Sequence, residues 1–240
     1  MQYKISLSNL VHDLQSISNS KKAKISAWFF KTGKGEYGEG DKFIGGTVPE
    51  MRKVAKKYVD LDLFELEKLL KNKIHEYRFT ALEILVMKYE KALLKEKKII
   101  VSFYLKNKRQ INNWDLVDTS APYILGDWLS KNDRSVLYKL AESKSLWDRR
   151  IAIVSTFAFI RAGQFDDTLK LALILIDDKE DLLHKAVGWM LREVGKRSEK
   201  TLIDFLDQNW QEMPRTMLRY AVERLGVKSS KYFPKRIKKL

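Results

Sequence analysis

The sequence contains no cysteine, which excludes structural disulfides and thiol-based catalysis. It has only four prolines in 240 residues, and strand-like alternation is almost absent. The longest apolar run, residues 151–160, is interrupted by Ser155 and Thr156 and is about half as long as a membrane-spanning helix. The first ten residues lack the pattern of a signal peptide. We therefore expect a cytoplasmic protein.

Positive charge is the strongest compositional feature. Lysine and arginine number 46 against 31 acidic residues, which gives a formal net charge of +15 and a pI near 9.7. This excess favours a polyanionic partner, most simply nucleic acid, although a basic surface can also serve solubility. Aromatic residues make up 11% of the chain, with six tryptophans, and they favour nucleic acid because bases and sugars pack on aromatic rings.

Helical spacing of apolar residues runs through the chain and predicts an all-α fold. Five predicted helices align on Ala81, Leu116, Ala152, Ala186 and Ala221, at intervals of 35, 36, 34 and 35 residues. Another amphipathic helix lies in each gap, so each repeat is a helix pair. The period predicts one domain over residues 1–240, an α-solenoid with a concave basic face. The alternative is an irregular helical bundle.

Two long segments are predicted within this array. Residues 112–129 read as one helix that Pro122 should kink or break. Residues 146–162 read as an apolar segment that contains the run broken by Ser155 and Thr156.

Angular positions within the helices single out four side chains. At 100° per residue, Trp114 and Asp118 lie at about 160° and 200° from the buried marker of their repeat, and Arg150 lies at about 160°. Trp189 lies near about 300°, at the edge of the core stripe. We expect these residues to line one face over three successive repeats. Taken singly, the tryptophans could be core packing, Asp118 a surface acid in an ion pair and Arg150 a surface cation.

A glycine-rich loop occupies residues 33–48. It contains glycine-x-glycine-x-x-glycine at Gly33, Gly35 and Gly38, but it follows a predicted helix rather than a strand, and its three acidic residues would repel phosphate. The loop is therefore interpreted as a connector or as a mobile flap over the cleft. The histidines are scattered without metal-ligand spacing, so surface or core placement is expected for His12, His75 and His184.

Three motifs resemble the AlkD-like DNA glycosylase family, HEAT-like-repeat proteins that remove alkylated bases from DNA. The first is NWDLVD at residues 113–118, followed by APYILGD at residues 121–127. The second is WDRRIA at residues 147–152, and the third is KAVGWMLRE at residues 185–193. The resemblance covers nearly the whole chain and is best over residues 75–225.

The resemblance implies a role for each matching residue. Asp118 corresponds to the catalytic carboxylate, Trp114 and Trp189 to the side chains that cradle the deoxyribose, and Arg150 to a DNA contact near the lesion. It also implies that the lesion is held from the backbone side instead of being flipped into a pocket. Neighbouring basic residues and one aromatic of the amino-terminal segment are further predicted DNA contacts: Arg149, Lys185, Arg192, Phe29 and, farther along, Arg215, Arg219, Lys238 and Lys239.

The chemistry implied by the resemblance needs no metal or other cofactor. A purine alkylated at N3 or N7 is cationic and leaves as a neutral base, while a carboxylate stabilises the oxocarbenium-like sugar and orients water. The first hypothesis is thus a monomeric, monofunctional DNA glycosylase acting on alkylated double-stranded DNA in base excision repair. The alternatives are a non-catalytic binder of damaged or branched DNA and a protein-interaction solenoid, which the positive charge disfavours.

Overall fold

The computed structural model describes residues 5–232, which are helical apart from connecting loops and one isolated parallel bridge between Lys42 and Ile74. The predicted all-α class is confirmed. The chain divides into two compact units, Met1–Trp128 and Leu129–Leu240. This division does not test the prediction of one repeat domain, because each repeat of an array contacts chiefly its neighbours.

The helices follow one another with short connections, except across the glycine-rich loop. Those before the unit boundary are α1 (Leu7–Ser16), α2 (Ser20–Phe29), α3 (Val48–Lys57), α4 (Leu63–Leu70), α5 (His75–Lys91), α6 (Leu94–Lys106) and α7 (Trp114–Ser120). The short helix α8 (Asp127–Leu129) contains the boundary. Those of the second unit are α9 (Ser135–Ala141), α10 (Leu146–Ser155), α11 (Phe157–Arg161), α12 (Asp166–Ile174), α13 (Asp181–Gly195), α14 (Glu199–Asn209) and α15 (Arg215–Val222).

Local side-chain caps fix where several helices begin. The side chain of Asn19 accepts a hydrogen bond from the Lys22 amide at 3.0 Å ahead of α2. The Glu50 carboxylate accepts from the Thr47 amide at 2.8 Å ahead of α3. These contacts satisfy amide groups that have no partner within the helix, which is why polar residues stand at these positions.

The five markers of the sequence repeat all lie in helices and are fully buried. Ala81 lies in α5, Leu116 in α7, Ala152 in α10, Ala186 in α13 and Ala221 in α15, each with 0% of its surface exposed. The intervening helices α6, α9, α12 and α14 occupy the predicted gaps. The period of about 35 residues therefore identified the core position of each helix pair.

Pro122 interrupts the segment 112–129, as predicted. The α-helix ends at Ser120, and Pro122–Gly126 forms a wider helical turn in which the Gly126 amide donates to the Ala121 carbonyl at 2.8 Å. Proline cannot donate an amide hydrogen bond, and its ring disturbs the preceding turn, so a local change of helical winding accommodates it. The α-helix that carries Trp114 and Asp118 therefore ends just before this wider turn.

The apolar segment 146–162 is divided into two helices at Ser155 and Thr156, the residues that break its apolar run. The Ser155 hydroxyl donates to the Ile151 carbonyl at 2.7 Å, and the Thr156 hydroxyl donates to the Ile153 carbonyl at 2.7 Å. Side-chain hydrogen bonds of this kind compete with backbone ladder bonds and bend helices. The two polar residues therefore separate α10 from α11.

Gly188 allows α13 and α15 to approach closely. A Cβ atom at this position would overlap the Met217 carbonyl oxygen and lie 2.6 Å from Cβ of Tyr220. We expect Gly188→Ala to lower the free energy of unfolding by about 1–3 kcal/mol, because two helix backbones must separate. Urea denaturation would measure the change. Gly195→Ala is the control, since the only atom within 3 Å of its Cβ would be the rotatable Cδ2 of Leu202. Equal losses for both variants would contradict the close-approach explanation.

Within residues 5–232 no helix has both the length and the apolar character needed to cross a membrane. The last described segment of the second unit is a short 3-10 helix at Gly226–Tyr232. The predicted phosphate contacts Lys238 and Lys239 lie outside the described residues.

Candidate functional site

Trp114 and Asp118 stand one turn apart on α7, and both are partly exposed. The side chain of Asn113, itself buried, caps the helix by accepting from the Trp114 amide at 2.8 Å. Leu116 and Val117 are fully buried on the other side of the helix. Residues four apart share a helix face, so α7 presents an aromatic ring and a carboxylate together, away from its core-facing side.

Two phenylalanines from the end of α2 cover part of Trp114. Phe30 stacks on the indole with ring centroids 5.4 Å apart and planes inclined by 18°. Phe29 meets the indole edge-on at 6.0 Å and remains 53% exposed. One face of Trp114 is therefore occupied by protein, and Phe29 contributes an exposed aromatic edge beside it.

The first half of the glycine-rich loop has no free cradle of glycine amides. The Glu36 carboxylate accepts from the Gly33 amide at 2.8 Å, and the Glu39 carboxylate accepts from the Gly35 amide at 2.8 Å. The loop's own acids thus occupy the donors that a phosphate group would need.

The second half of the loop is fastened to the start of α5. The buried Glu76 carboxylate accepts from the Ile44 amide at 3.1 Å and from the Gly45 amide at 2.8 Å. The Lys42 carbonyl accepts from the His75 amide at 2.8 Å. For residues 41–46 these contacts favour the connector, one of the two interpretations of the loop, over the mobile flap.

His75, the first residue of α5, is a core residue with only 2% of its side chain exposed. Its Nε2 lies 2.7 Å from the carboxylate of Asp115 on α7, and its Nδ1 lies 3.2 Å from the carboxylate of Asp41 in the loop. Arg78 pairs with Asp41 at 2.6 Å and also donates to the side chain of Asn112. Five polar side chains, of which His75 and Arg78 are buried, thereby join the loop, α5 and the start of α7.

The His75 ring also packs against the rings of two phenylalanines. It stacks on Phe43 with centroids 4.8 Å apart, and its centroid lies 4.8 Å from that of Phe30. Burial lowers the pKa of His75, but the adjacent carboxylates of Asp115 and Asp41 outweigh burial and raise it to about 9. The histidine is therefore positively charged at neutral pH.

Tyr104 is buried and lies close enough to Asp118 for the carboxylate charge to affect the pKa of its hydroxyl. Burial raises the pKa of Tyr104, and the negative charge of Asp118 raises it further. The Tyr104 hydroxyl lies 3.1 Å from the Ser120 hydroxyl, which donates to the Leu116 carbonyl at 2.6 Å. The Tyr104 hydroxyl is therefore un-ionised at neutral pH. It packs on the buried side of α7.

Two arginines of α10 in the second unit are engaged with protein groups. Arg150 is 5% exposed, and its guanidinium donates to the Leu182 carbonyl in the first turn of α13 at 2.5 Å. Arg149 is partly buried and pairs with Asp178 at 2.6 Å. Arg150 is thus buried rather than solvent-facing as its helical phase predicted, because its long side chain reaches to the neighbouring helix.

The remaining predicted site residues lie on α13. Trp189 is partly buried, with its ring centroid 5.9 Å from that of Phe157, which agrees with its predicted place at the edge of the core stripe. Lys185 pairs with Asp181 at 2.7 Å and is partly exposed. Arg192 pairs with Glu223, and its guanidinium lies 5.9 Å from the ring centroid of Tyr220.

Comparison with known proteins places these residues in a family context. The sequence profile of a family described as DNA alkylation repair enzyme matches residues 10–225. The chain belongs to this DNA alkylation repair enzyme family. The match includes α7, α10 and α13, which carry the candidate residues.

A solved structure from Enterococcus faecalis, described as a predicted DNA alkylation repair enzyme, is similar to this chain with a TM-score of 0.68 at 17% sequence identity. The similarity covers 88% of this chain and 97% of the other. It supports the shared fold. No curated protein sequence matches the chain significantly.

The sequence predicted part of the candidate site on α7, but it did not predict the side chains that pack against that part. It identified the face shared by Trp114 and Asp118, and it named Phe29 as a DNA contact without placing it beside Trp114. It missed Phe30, which the run Trp28-Phe29-Phe30 does not distinguish from its neighbours. It also missed the partners of His75, although Asp41 and Asp115 stand 34 and 40 residues away, close to the repeat period. No group of three or more His, Asp or Glu side chains among residues 5–232 is arranged to hold a metal ion.

Proposed function

We propose that the protein is a DNA N-glycosylase that excises cationic N3- or N7-alkylated purines from double-stranded DNA in base excision repair. The observation that carries the proposal is the pairing of a partly exposed Asp118 with Trp114 on one face of α7. Family membership supports a role in the repair of alkylated DNA. The roles of the individual residues are carried over from the resemblance of the motifs.

The proposed reaction is hydrolysis of one bond. The bond between C1′ and the purine nitrogen breaks, and its electron pair neutralises the cationic base, which leaves without needing a general acid. Positive charge develops on the sugar, where the Asp118 carboxylate stabilises it. Asp118 also orients a water molecule whose oxygen bonds to C1′ and whose proton is lost to solvent. The products are the free alkylated base and an abasic site.

Trp114, in the first unit, is proposed to contact the sugar through its indole ring. Because Phe30 packs on one side of the indole, the other side and the edge are what Trp114 can offer to a sugar. An electron-rich ring face attracts a cationic group by roughly 0.5–2 kcal/mol. We assign Trp189 the same role in the second unit.

Basic residues of the second unit are proposed to hold the phosphate backbone. Lys185 is the most available, since a partly exposed pair such as Lys185–Asp181 contributes little and exchanges readily. Arg149 and Arg192 would exchange Asp178 and Glu223 for phosphates. Arg150, which is buried, has only a small surface to offer. We further propose a monomeric helical-repeat superhelix with a basic concave face, acting in the cytoplasm at the nucleoid.

Binding to DNA is expected to depend steeply on salt. Four phosphate contacts alone give a slope of roughly −3.6 in a plot of log K against log salt concentration. Fluorescence anisotropy with duplex DNA at increasing sodium chloride would measure it, and Lys185→Ala should reduce the slope by about 1. A flat slope would exclude both DNA-binding hypotheses.

The experiment that tests the function incubates the protein with chemically methylated duplex DNA and identifies released bases by chromatography and mass spectrometry. We expect free N7-methylguanine or N3-methyladenine and a matching number of abasic sites. Unmethylated DNA is the control for general depurination. Salt-dependent binding without release would support the second candidate, a non-catalytic binder of damaged or branched DNA. The stacking of Phe30 on Trp114 favours that candidate, because it reduces the ring surface left for a sugar.

A further inference from the structure

The geometry around His75 favours a doubly protonated ring. Its two nitrogens face two different carboxylates, Asp115 at 2.7 Å and Asp41 at 3.2 Å. A neutral imidazole has one N–H and can donate to only one of them, whereas a histidinium donates to both. Nη2 of Arg78 also lies 3.4 Å from Nδ1, but the shorter contact of Nδ1 with Asp41 needs a proton on that nitrogen. Arg78 pairs with Asp41 at 2.6 Å, whereas His75 contacts both acids and links them.

The charges of the cluster balance only when His75 is protonated. Two carboxylates, one guanidinium and one histidinium sum to zero in a space where each side chain is at most 14% exposed. Phe30 and Phe43, whose rings pack on His75, are apolar. Glu76, the next residue on α5, is occupied by the loop amides. Without the proton, one buried negative charge would remain uncompensated.

The cluster touches the candidate site in two ways. Asp115 lies in the first turn of α7, directly after Trp114 and three residues before Asp118. The His75 ring also contacts Phe30, which stacks on Trp114. A change in His75 would therefore reach the helix that carries Asp118 and the ring that packs on Trp114.

We propose that His75 is a positioning residue for base excision, which as a histidinium joins Asp41 of the loop to Asp115 of α7 and so holds Trp114 and Asp118 in their working orientation. This role rests on the proposed glycosylase function. It predicts that His75 affects the bond-breaking step and leaves the phosphate contacts unchanged, because those contacts belong to other residues.

The first test compares His75→Gln with His12→Gln, the same change at an exposed histidine of α1. Single-turnover release of N7-methylguanine from duplex DNA is expected to slow by roughly 10- to 100-fold in His75→Gln, because small displacements of catalytic groups have effects of this size. The dissociation constant for DNA should stay within about twofold of wild type. His12→Gln should match wild type in both measurements.

Charge rescue separates positioning by ionic contact from general loss of packing. Asp115→Asn leaves the cluster with one excess positive charge, whereas the double variant His75→Gln/Asp115→Asn restores neutrality and leaves two amides able to hydrogen-bond. We expect the double variant to release base faster than His75→Gln alone. Rates that multiply independently, so that the double variant is slowest, would overturn the proposal even if every variant is less stable.

The protonation state is measurable in the wild-type protein, so the test does not depend on variants that fold poorly. Imidazole resonances followed by NMR between pH 5 and 10 should show one ring that titrates near pH 9 and is missing in His75→Gln. Since the pKa is raised from 6.5, the stability that the histidinium contributes is complete below pH 6.5 and is lost as pH rises through 9. The urea midpoint should therefore fall more between pH 7 and pH 9.5 in wild type than in His75→Gln.

The outcomes separate this role from the function on which it rests. If wild type releases no base, the proposed function is wrong and the positioning role is wrong with it. If wild type releases base and His75→Gln does so at the same rate, only the positioning role is wrong. A His75 resonance that titrates at or below pH 6.5 would also overturn it.

Discussion

Replacement of Asp118 by asparagine is expected to slow the release of N7-methylguanine from duplex DNA by about 10²- to 10³-fold. Removal of one electrostatic contact to a charge that develops in the transition state has this effect in other enzymes. Asparagine keeps the size of the side chain but removes the negative charge. The appropriate measurement is the single-turnover rate with excess protein, which excludes product release from the observed constant.

The matched control is Asp60→Asn, the same change at an exposed acid in the turn between α3 and α4. It should retain the wild-type rate. DNA binding by Asp118→Asn should be equal to or tighter than that of wild type, because a carboxylate that faces phosphates has been removed. A rate for Asp118→Asn within threefold of wild type would contradict the assignment of Asp118 as the catalytic carboxylate.

Gly45→Ala is expected to have the largest effect on stability, a loss of roughly 3 kcal/mol or more in the free energy of unfolding. The residue has φ +85, which costs a side chain about 1–2 kcal/mol. A Cβ atom would also overlap the Asn19 carbonyl oxygen and lie 2.6 Å from the Ala23 amide nitrogen, and overpacking of this kind costs about 1–3 kcal/mol more. Urea denaturation followed by circular dichroism would measure the loss.

Gly40→Ala is the control that separates backbone strain from overlap. Gly40 has φ +88, yet no atom lies within 4 Å of the position its Cβ would take. We expect this variant to lose only the strain energy, about 1–2 kcal/mol. A loss as large as that of Gly45→Ala would show that the contact between the loop and the start of α2 is not what makes Gly45 necessary.

Gly45→Ala should also affect the candidate site. The loop amides bound by Glu76 and the end of α2 that carries Phe30 belong to the same packed region. Displacement of that region would remove Phe30 from Trp114. Near-ultraviolet circular dichroism, which reports the environment of aromatic rings, should therefore change more in Gly45→Ala than in Gly40→Ala.

Short-range periodicity accounts for what the sequence could predict. A helix repeats every 3.6 residues, so Trp114 and Asp118 could be assigned to one face from their spacing alone. The same reasoning located the buried markers from Ala81 to Ala221. Pro122 has a covalent geometry that breaks a regular helix in any context, so its effect was also predictable.

Long-range contacts account for what the sequence could not predict. The carboxylates of Asp41 and Asp115 reach His75 from other elements. They stand 34 and 40 positions from it in the sequence, and these separations do not reveal that the three side chains meet. Arg150 was misplaced for a related reason. The helical phase fixes the direction of its Cβ, but two further methylene groups and the guanidinium can extend along a neighbouring helix. The Leu182 carbonyl, which receives its hydrogen bond, lies 32 residues away.

The central claim is that Asp118 stabilises a sugar cation formed when a cationic purine leaves. The most direct measurement uses a duplex oligonucleotide with a single N7-methylguanine and a matched duplex with 7-methyl-7-deazaguanine, which has the same shape without the positive charge. We predict that both duplexes bind with similar affinity, but that only the first yields free base and an abasic site at a rate that depends on Asp118. Equal release from both duplexes, or no release from the first by folded, DNA-bound protein, would contradict the account.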